Sequence, residues 1–185
     1  LAFRFHDAAN PGAFNVLQKL SYVGTFVYQH GPYIETSRIT RYVDASGARE
    51  KLEPLEGGVR EIVRSGNQVA YYLPGSQTVK IERQAVTQSF PSILPVRISD
   101  LAASYMVSKG EIERVAGFDC QVLTLEPRDQ MRYGHKLWAD VNTGMLLKAR
   151  ALNERQEAVE TFAFTQLQIG NVAPDKVKPS YASQE

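Results

Sequence analysis

Apolar and polar positions change rhythm once along this chain. Up to Leu20 the large apolar residues Phe14, Leu17 and Leu20 recur every three positions, as on one side of a helix. Asn10 supplies an N-cap side chain, and Pro11 sits at the first helical position, where its missing N–H does no harm. The pattern predicts a helix over Asn10–Leu20 that packs one face. From Ser21 onward, β-branched and aromatic residues alternate with polar ones between turn signals, which predicts successive strands rather than strands alternating with helices.

The turn signals divide that body. His30-Gly31-Pro32 separates Tyr22–Tyr28 from Ile34–Val43; Asp44-Ala45-Ser46-Gly47 and Gly57-Gly58 follow; Ser65-Gly66-Asn67 divides Val59–Arg64 from Gln68–Leu73; and Pro74-Gly75-Ser76 precedes Thr78–Ile81. These four or five strands make a meander. The stretch from Gln84 to Lys109 is less regular, with Pro91, Pro95 and a segment Ser99–Met106 that reads as a short helix N-capped by Ser99. Strands resume at Gly110–Val115, Phe118–Pro127, Tyr133–Asp140, Met145–Leu152 and Val159–Ile169, with Asn142-Thr143-Gly144 the strongest hairpin signal. The fold class is therefore α+β, a curved antiparallel sheet with helices against it. Residues 1–170 read as one domain and 171–185, with Pro174 and Pro179, as a linker.

Composition narrows the function classes. The 185 residues are 43% hydrophobic and 22% charged, enough apolar surface for a core without disulfides or metals. A net charge of +1, from 21 basic and 20 acidic side chains, gives no general attraction to nucleic acid or anionic lipid. No run of about 18 apolar residues spans a bilayer as a helix, and the chain opens on Leu1 without a charged-then-apolar leader, so a signal segment is expected to have been removed. Cys120 is the one cysteine. It shares the apolar side of its strand with Phe118 and Val122 and reads as a buried, inert thiol.

Catalytic chemistry finds no support. The sequence has no Gly-x-Ser-x-Gly, no Ser-x-x-Lys and no phosphate-cradling loop, and His6, His30 and His135 lack metal spacing. No catalytic residue, metal or cofactor is assigned. The densest polar stretch, Pro127 to Asp140, mixes acids and bases, but Tyr133, His135 and Leu137 alternate with Gly134, Lys136 and Trp138 as strand faces do. Arg128 to Arg132 read as its hairpin connection, with Arg128 and Arg132 as partner contacts. A second basic group, Arg38, Arg41, Arg49, Lys51, Arg60 and Arg64, is interleaved with Glu35, Glu50, Glu53, Glu56 and Glu61 and reads as a mixed-charge face. Arg60 and Arg64, like Arg128 and Arg132, remain candidates for contact with an anionic group or a partner such as an acidic peptide.

Several stretches together resemble the MucB/RseB family. Leu20–Tyr28 and Glu61–Gly75 look like that family's first strand and central hairpin. Arg114–Cys120, Pro127–Asp129, Arg132–Gly134, Leu137–Asp140 and Thr143–Lys148 look like its second half, so the resemblance runs in order over about residues 8 to 170. It implies an unclosed half-barrel similar to the lipoprotein carriers LolA and LolB, packed on helices. It also implies a periplasmic negative regulator of the sigma-E envelope-stress response, which binds the periplasmic region of an anti-sigma factor, protects it from proteolysis and senses lipopolysaccharide or another acyl-chain lipid. Family members carry a further C-terminal domain, and residues 171–185 are expected to lead towards it. The alternative is a periplasmic lipid or lipoprotein carrier of LolA type; nucleic acid is not expected as a partner, and self-association is left open. On either reading the inner face of the sheet would hold an acyl chain through Phe26, Tyr28, Tyr71, Leu73, Leu123 and Trp138, with the Leu94 to Met106 loop, including Tyr105, as a lid.

Overall fold

The computed structural model describes residues 19–58, 60–73, 78–83 and 102–180. They form β1 (Tyr22–His30), β2 (Tyr33–Asp44), β3 (Gly47–Pro54), β4 (Glu61–Ser65), β5 (Gln68–Leu73) and β6 (Thr78–Arg83). After these come β7 (Tyr105–Val115), β8 (Phe118–Pro127), β9 (Gly134–Asp140), β10 (Leu146–Leu152), β11 (Ala158–Ile169) and a 3-10 turn, Pro174–Val177. All belong to one sheet in the order β6-β5-β4-β3-β2-β1-β11-β10-β9-β8-β7, a ladder whose end strands are β6 and β7. The chain divides into two compact units. One holds residues 27–34 and 90–165, the other 18–26, 35–89 and 166–185.

The expected α+β class is not what the structure holds. Strand dominates the described residues, and among them the sheet has no helices to pack on; the helical residues are a single turn at 102–104 and the 3-10 turn Pro174–Val177. Tyr105 and Met106, read as the end of a helix, begin β7 instead and pair with Pro127 and Glu126 of β8. A short amphipathic run cannot be told from a strand by its periodicity, and the free edge of β8 decided between them. The helix expected over Asn10–Leu20 lies, apart from Lys19 and Leu20, outside the described residues.

Hairpins join most of the strands. Between β7 and β8, Ala116 and Gly117 both take left-handed φ values of 50° and 84°, the pair that a two-residue turn needs to follow the strand twist. Between β2 and β3, Asp44 Oδ1 accepts the Ser46 N–H at 2.8 Å and closes the turn. In the first unit the apolar side of β8 and β9 carries Leu123, Leu125 and Leu137, packed with Tyr105 and Ala149 into one cluster. In the second unit the Pro174–Val177 turn lies against β3, with Val177 buried.

Cys120 follows the sequence reading. It is fully buried on β8, and burial, followed by the nearby Asp140 carboxylate, pushes its thiol up to about 11. Thiol reagents at mildly alkaline pH are expected to label it only at the rate of global or local unfolding. Labelling as fast as a free thiol peptide would contradict that placement.

Candidate partner-binding surface

The polar stretch between β8 and β9 is built by one carboxylate. Asp129 Oδ1 accepts the Met131 N–H at 3.0 Å and Arg132 Nε at 3.2 Å, while Oδ2 pairs with the Arg132 guanidinium at 3.0 Å. The Met131 N–H, more than the arginine, holds the Asp129 carboxyl below its ordinary range. Arg128 is tied on the other side: its N–H donates to the Ser104 carbonyl at 2.9 Å and its Nε to the Ala102 carbonyl at 3.3 Å. The turn thus formed pushes Met131 and Tyr133 outward, 91% and 56% exposed.

The β10–β11 connection stands beside it and is held in the same manner. Asn153 Oδ1 accepts the N–H groups of Arg155 and Glu157, both at 2.9 Å, and Gln156 takes a left-handed φ of 61°. Residues 130–133 on one side and Asn153–Arg155 with Glu157 on the other line a shallow depression of about 560 Å³. A large exposed methionine and tyrosine beside both signs of charge suit a peptide segment with an apolar anchor and carboxylates or amines around it. Among the described residues no group of three or more His, Cys, Asp and Glu could hold a metal ion.

The remaining sequence-predicted residues of this unit divide between two faces of its sheet. Arg132 stacks over the Tyr105 ring at 5.7 Å, and His135 meets that ring edge-on at the same distance. Burial lowers the His135 imidazole below its usual range, with Glu160 opposing. Tyr28, half-buried on β1, donates its hydroxyl to Glu160 at 2.5 Å, and burial with that hydrogen bond raises it to about 12. Tyr105 and Leu123 meet in the apolar cluster. Trp138 does not join them. Leu123 is the register partner of Leu137, whereas Trp138 pairs with Val122, so Leu123 and Trp138 face opposite ways. There the indole N–H donates to Glu113 Oε2 at 2.7 Å, and Lys148, Lys136 and Arg150 crowd the ring at 4.5, 5.0 and 5.6 Å.

In the other unit Phe26 is buried, Tyr71 is half-buried, and Leu73, on the same side of β5, is exposed. Arg60 pairs with Glu35 at 2.6 Å, while Arg64 and Arg41 share Glu50. Leu94 lies outside the described residues. Sequence reasoning placed Arg128 and Arg132 at the surface of the hairpin, but missed Met131 and Tyr133 as its exposed apolar pair. Two large apolar residues inside or bordering a predicted connection were the available signal.

Comparison with known proteins gives consistent matches. Residues 15–181 match the MucB/RseB N-terminal domain. The Sigma factor AlgU regulatory protein MucB of Pseudomonas aeruginosa is 37% identical over 154 residues, covering 81% of this chain and 46% of that protein. The Sigma-E factor regulatory protein RseB of Escherichia coli K12 is 25% identical over 170 residues, covering 88% and 53%. The chain thus spans about half the length of the curated relatives it matches. A crystal structure of MucB has a TM-score of 0.76 at 33% identity, with 95% of this chain and 63% of that one covered. The complex structure of Pseudomonas aeruginosa MucA/MucB gives a TM-score of 0.71 at 33% identity, covering 91% and 61%.

Proposed function

Because the chain belongs to the MucB/RseB N-terminal domain family, we propose that it is a regulatory binding module of the periplasm that engages the periplasmic region of a MucA-type anti-sigma factor and shields it from proteolysis. The observation that carries this reading is the match across nearly the whole chain to MucB, a protein solved in complex with MucA. The regulatory names of its relatives fit a binding role rather than catalysis. Within the chain, the Met131 and Tyr133 surface is the contact we assign to that partner. Its apolar side chains are held outward by Asp129, and Arg128 and Arg132 flank them.

Fluorescence anisotropy of a labelled peptide, covering the periplasmic region of the anti-sigma factor from the same organism, tests both parts. Saturable binding is expected, together with slower cleavage of the peptide by the site-one protease when the chain is present. Met131→Asp combined with Tyr133→Asp is expected to weaken binding by roughly tenfold or more, as for an exposed anchor pair that becomes an interface core. Its unfolding midpoint should barely move, since both side chains are exposed. Absence of binding by the parent chain would end the regulatory reading. Undiminished binding by the double variant would instead move the contact elsewhere.

A further inference from the structure

Among the described residues, most charged side chains that are partly shielded from water have a direct opposite partner. Arg41 and Arg64 share Glu50, Lys51 has Glu61 and Glu53, Arg49 has Asp44, and Arg60 has Glu35. The side of β8, β9 and β10 that bears Trp138 departs from this. Lys136 and Arg150 are direct register partners, Lys148 is the partner of Trp138, and Lys148 and Arg150 stand two residues apart on β10. All three cations are therefore on one face. Like charges opposite one another weaken a sheet, and here a third cation is added to the pair.

Among the described residues compensation is incomplete. Glu113 is the acid that reaches the group, and its Oε2 is already engaged by the Trp138 indole N–H. Glu126 lies further along β8 and Asp140 further along β9 on the same face, Asp140 Oδ2 being taken by the Thr143 N–H and hydroxyl, and among the described residues none of these three acids forms an ion pair with the cations. Among the described residues, Lys136, Lys148, Arg150 and Glu113 together sum to two units positive. Burial, and then the adjacent Arg150, hold the Lys148 ammonium below its ordinary range. The aliphatic stems cover the ring, leaving Trp138 only 2% exposed, while the three cationic residues stay half-buried. Covering a tryptophan needs the stems alone; it does not need three charged ends.

We propose that Lys136, Lys148 and Arg150, gathered around Trp138, form a binding site for a phosphate group, presented by a lipid head group or by a small phosphorylated molecule. A phosphate monoester brings a charge of about −1.5 to −2 and three acceptor oxygens, which matches the excess of the cluster. The guanidinium can take two of those oxygens in a fork, and each ammonium acts as a point charge beside it. A lone carboxylate would neutralise half of the excess and fill fewer donors.

Trp138 is the one tryptophan of the chain and sits among the proposed ligands, so its emission reports occupancy. The parent chain is titrated with inorganic phosphate at constant ionic strength, then with vesicles of phosphatidylcholine with and without phosphatidic acid, and separately with a hexaglutamate peptide. The phosphorus NMR linewidth gives a second readout that does not depend on the indole. A saturable response to inorganic phosphate, or to the phosphatidic acid vesicles alone, supports the site and distinguishes a free from a lipid-borne group. Lys148→Met with Arg150→Met keeps the stems and removes the charges. It is expected to weaken that response by roughly tenfold or more, to leave or raise the unfolding midpoint, and to differ from the control Lys176→Met, which should bind as the parent does. Lys136→Met supplies a second variant should the double one fold poorly. No saturable response in either phosphate arm, an equal response from the charge-removed variants, or binding of hexaglutamate without phosphate would overturn the proposal, the last in favour of an acidic protein segment.

Discussion

Replacing Phe162 by alanine is expected to destabilise the protein by about 3–5 kcal/mol, the range for deleting a buried aromatic ring. Phe162 has no exposed surface and stands opposite Ala149 of β10, whose small, equally buried side chain leaves room for the ring. Phe164 meets it edge-on at 5.3 Å with the ring planes 83° apart. That geometry adds about 0.5–1.5 kcal/mol beyond the area buried. Alanine at 162 would open a gap facing alanine at 149, with no long side chain opposite to collapse into it. Phe162→Leu should lose clearly less, because most of the volume is kept. Urea unfolding of the parent and both variants measures this, with a shifted midpoint and an unchanged slope expected. A loss below about 1 kcal/mol for the alanine variant would mean that β11 is not closely packed there.

Glu61→Leu is the second large effect. Lys51 and Glu61 have side chains only 7% and 5% exposed and lie 3.0 Å apart, with Glu53 at 3.5 Å from the same ammonium. The C-terminal segment completes the site: the Ser180 N–H donates to Glu61 Oε2 at 2.8 Å, and Lys51 Nζ donates to Ser180 Oγ at 2.8 Å. Removing the carboxylate leaves the buried ammonium with only the longer contact to Glu53, and breaking a buried pair typically costs about 3–5 kcal/mol. Lys51→Met added to Glu61→Leu should recover most of that loss, since the desolvated charge disappears with its partner. If Glu61→Leu alone is neutral, the pair is better solvated than its burial implies.

The same carboxylate sets an acid dependence. Burial pushes the Glu61 carboxyl up, but the Ser180 hydrogen bonds and Lys51 outweigh it, so its folded value lies below the ordinary 4.5. A group lowered on folding contributes stability that is complete above its unfolded value and is lost as pH falls through the folded one. Acid unfolding of the parent should therefore show a contribution below about pH 4.5 that is missing in the Lys51→Met, Glu61→Leu double variant.

Alternation and turn chemistry make much of this protein legible in its sequence. Tyr22, Gly24 and Phe26 alternate inward on β1 as their spacing suggests, Ser65-Gly66-Asn67 turns the chain, and Cys120 is buried beside Val122. These are local properties, set by the two-residue period of a strand and the few residues that tolerate a left-handed φ. Strand β3 was not legible. Arg49-Glu50-Lys51-Leu52-Glu53 has little strand propensity by itself, and it is a strand because β2 and β4 supply its backbone partners while Arg41, Arg64 and Glu61 neutralise its buried charges. The start of β7 was lost for the same reason, since only the ladder with β8 turns Tyr105 and Met106 from a helical to an extended course. The sites show the division most clearly. Arg128 and Arg132 could be placed at a hairpin from their flanking residues, but whether Leu123 or Val122 shares a face with Trp138 depends on register, and a shift of one residue exchanges the two faces. The grouping of Lys136, Lys148 and Arg150 follows from strands brought together across a turn, a distance in sequence that composition and periodicity do not encode.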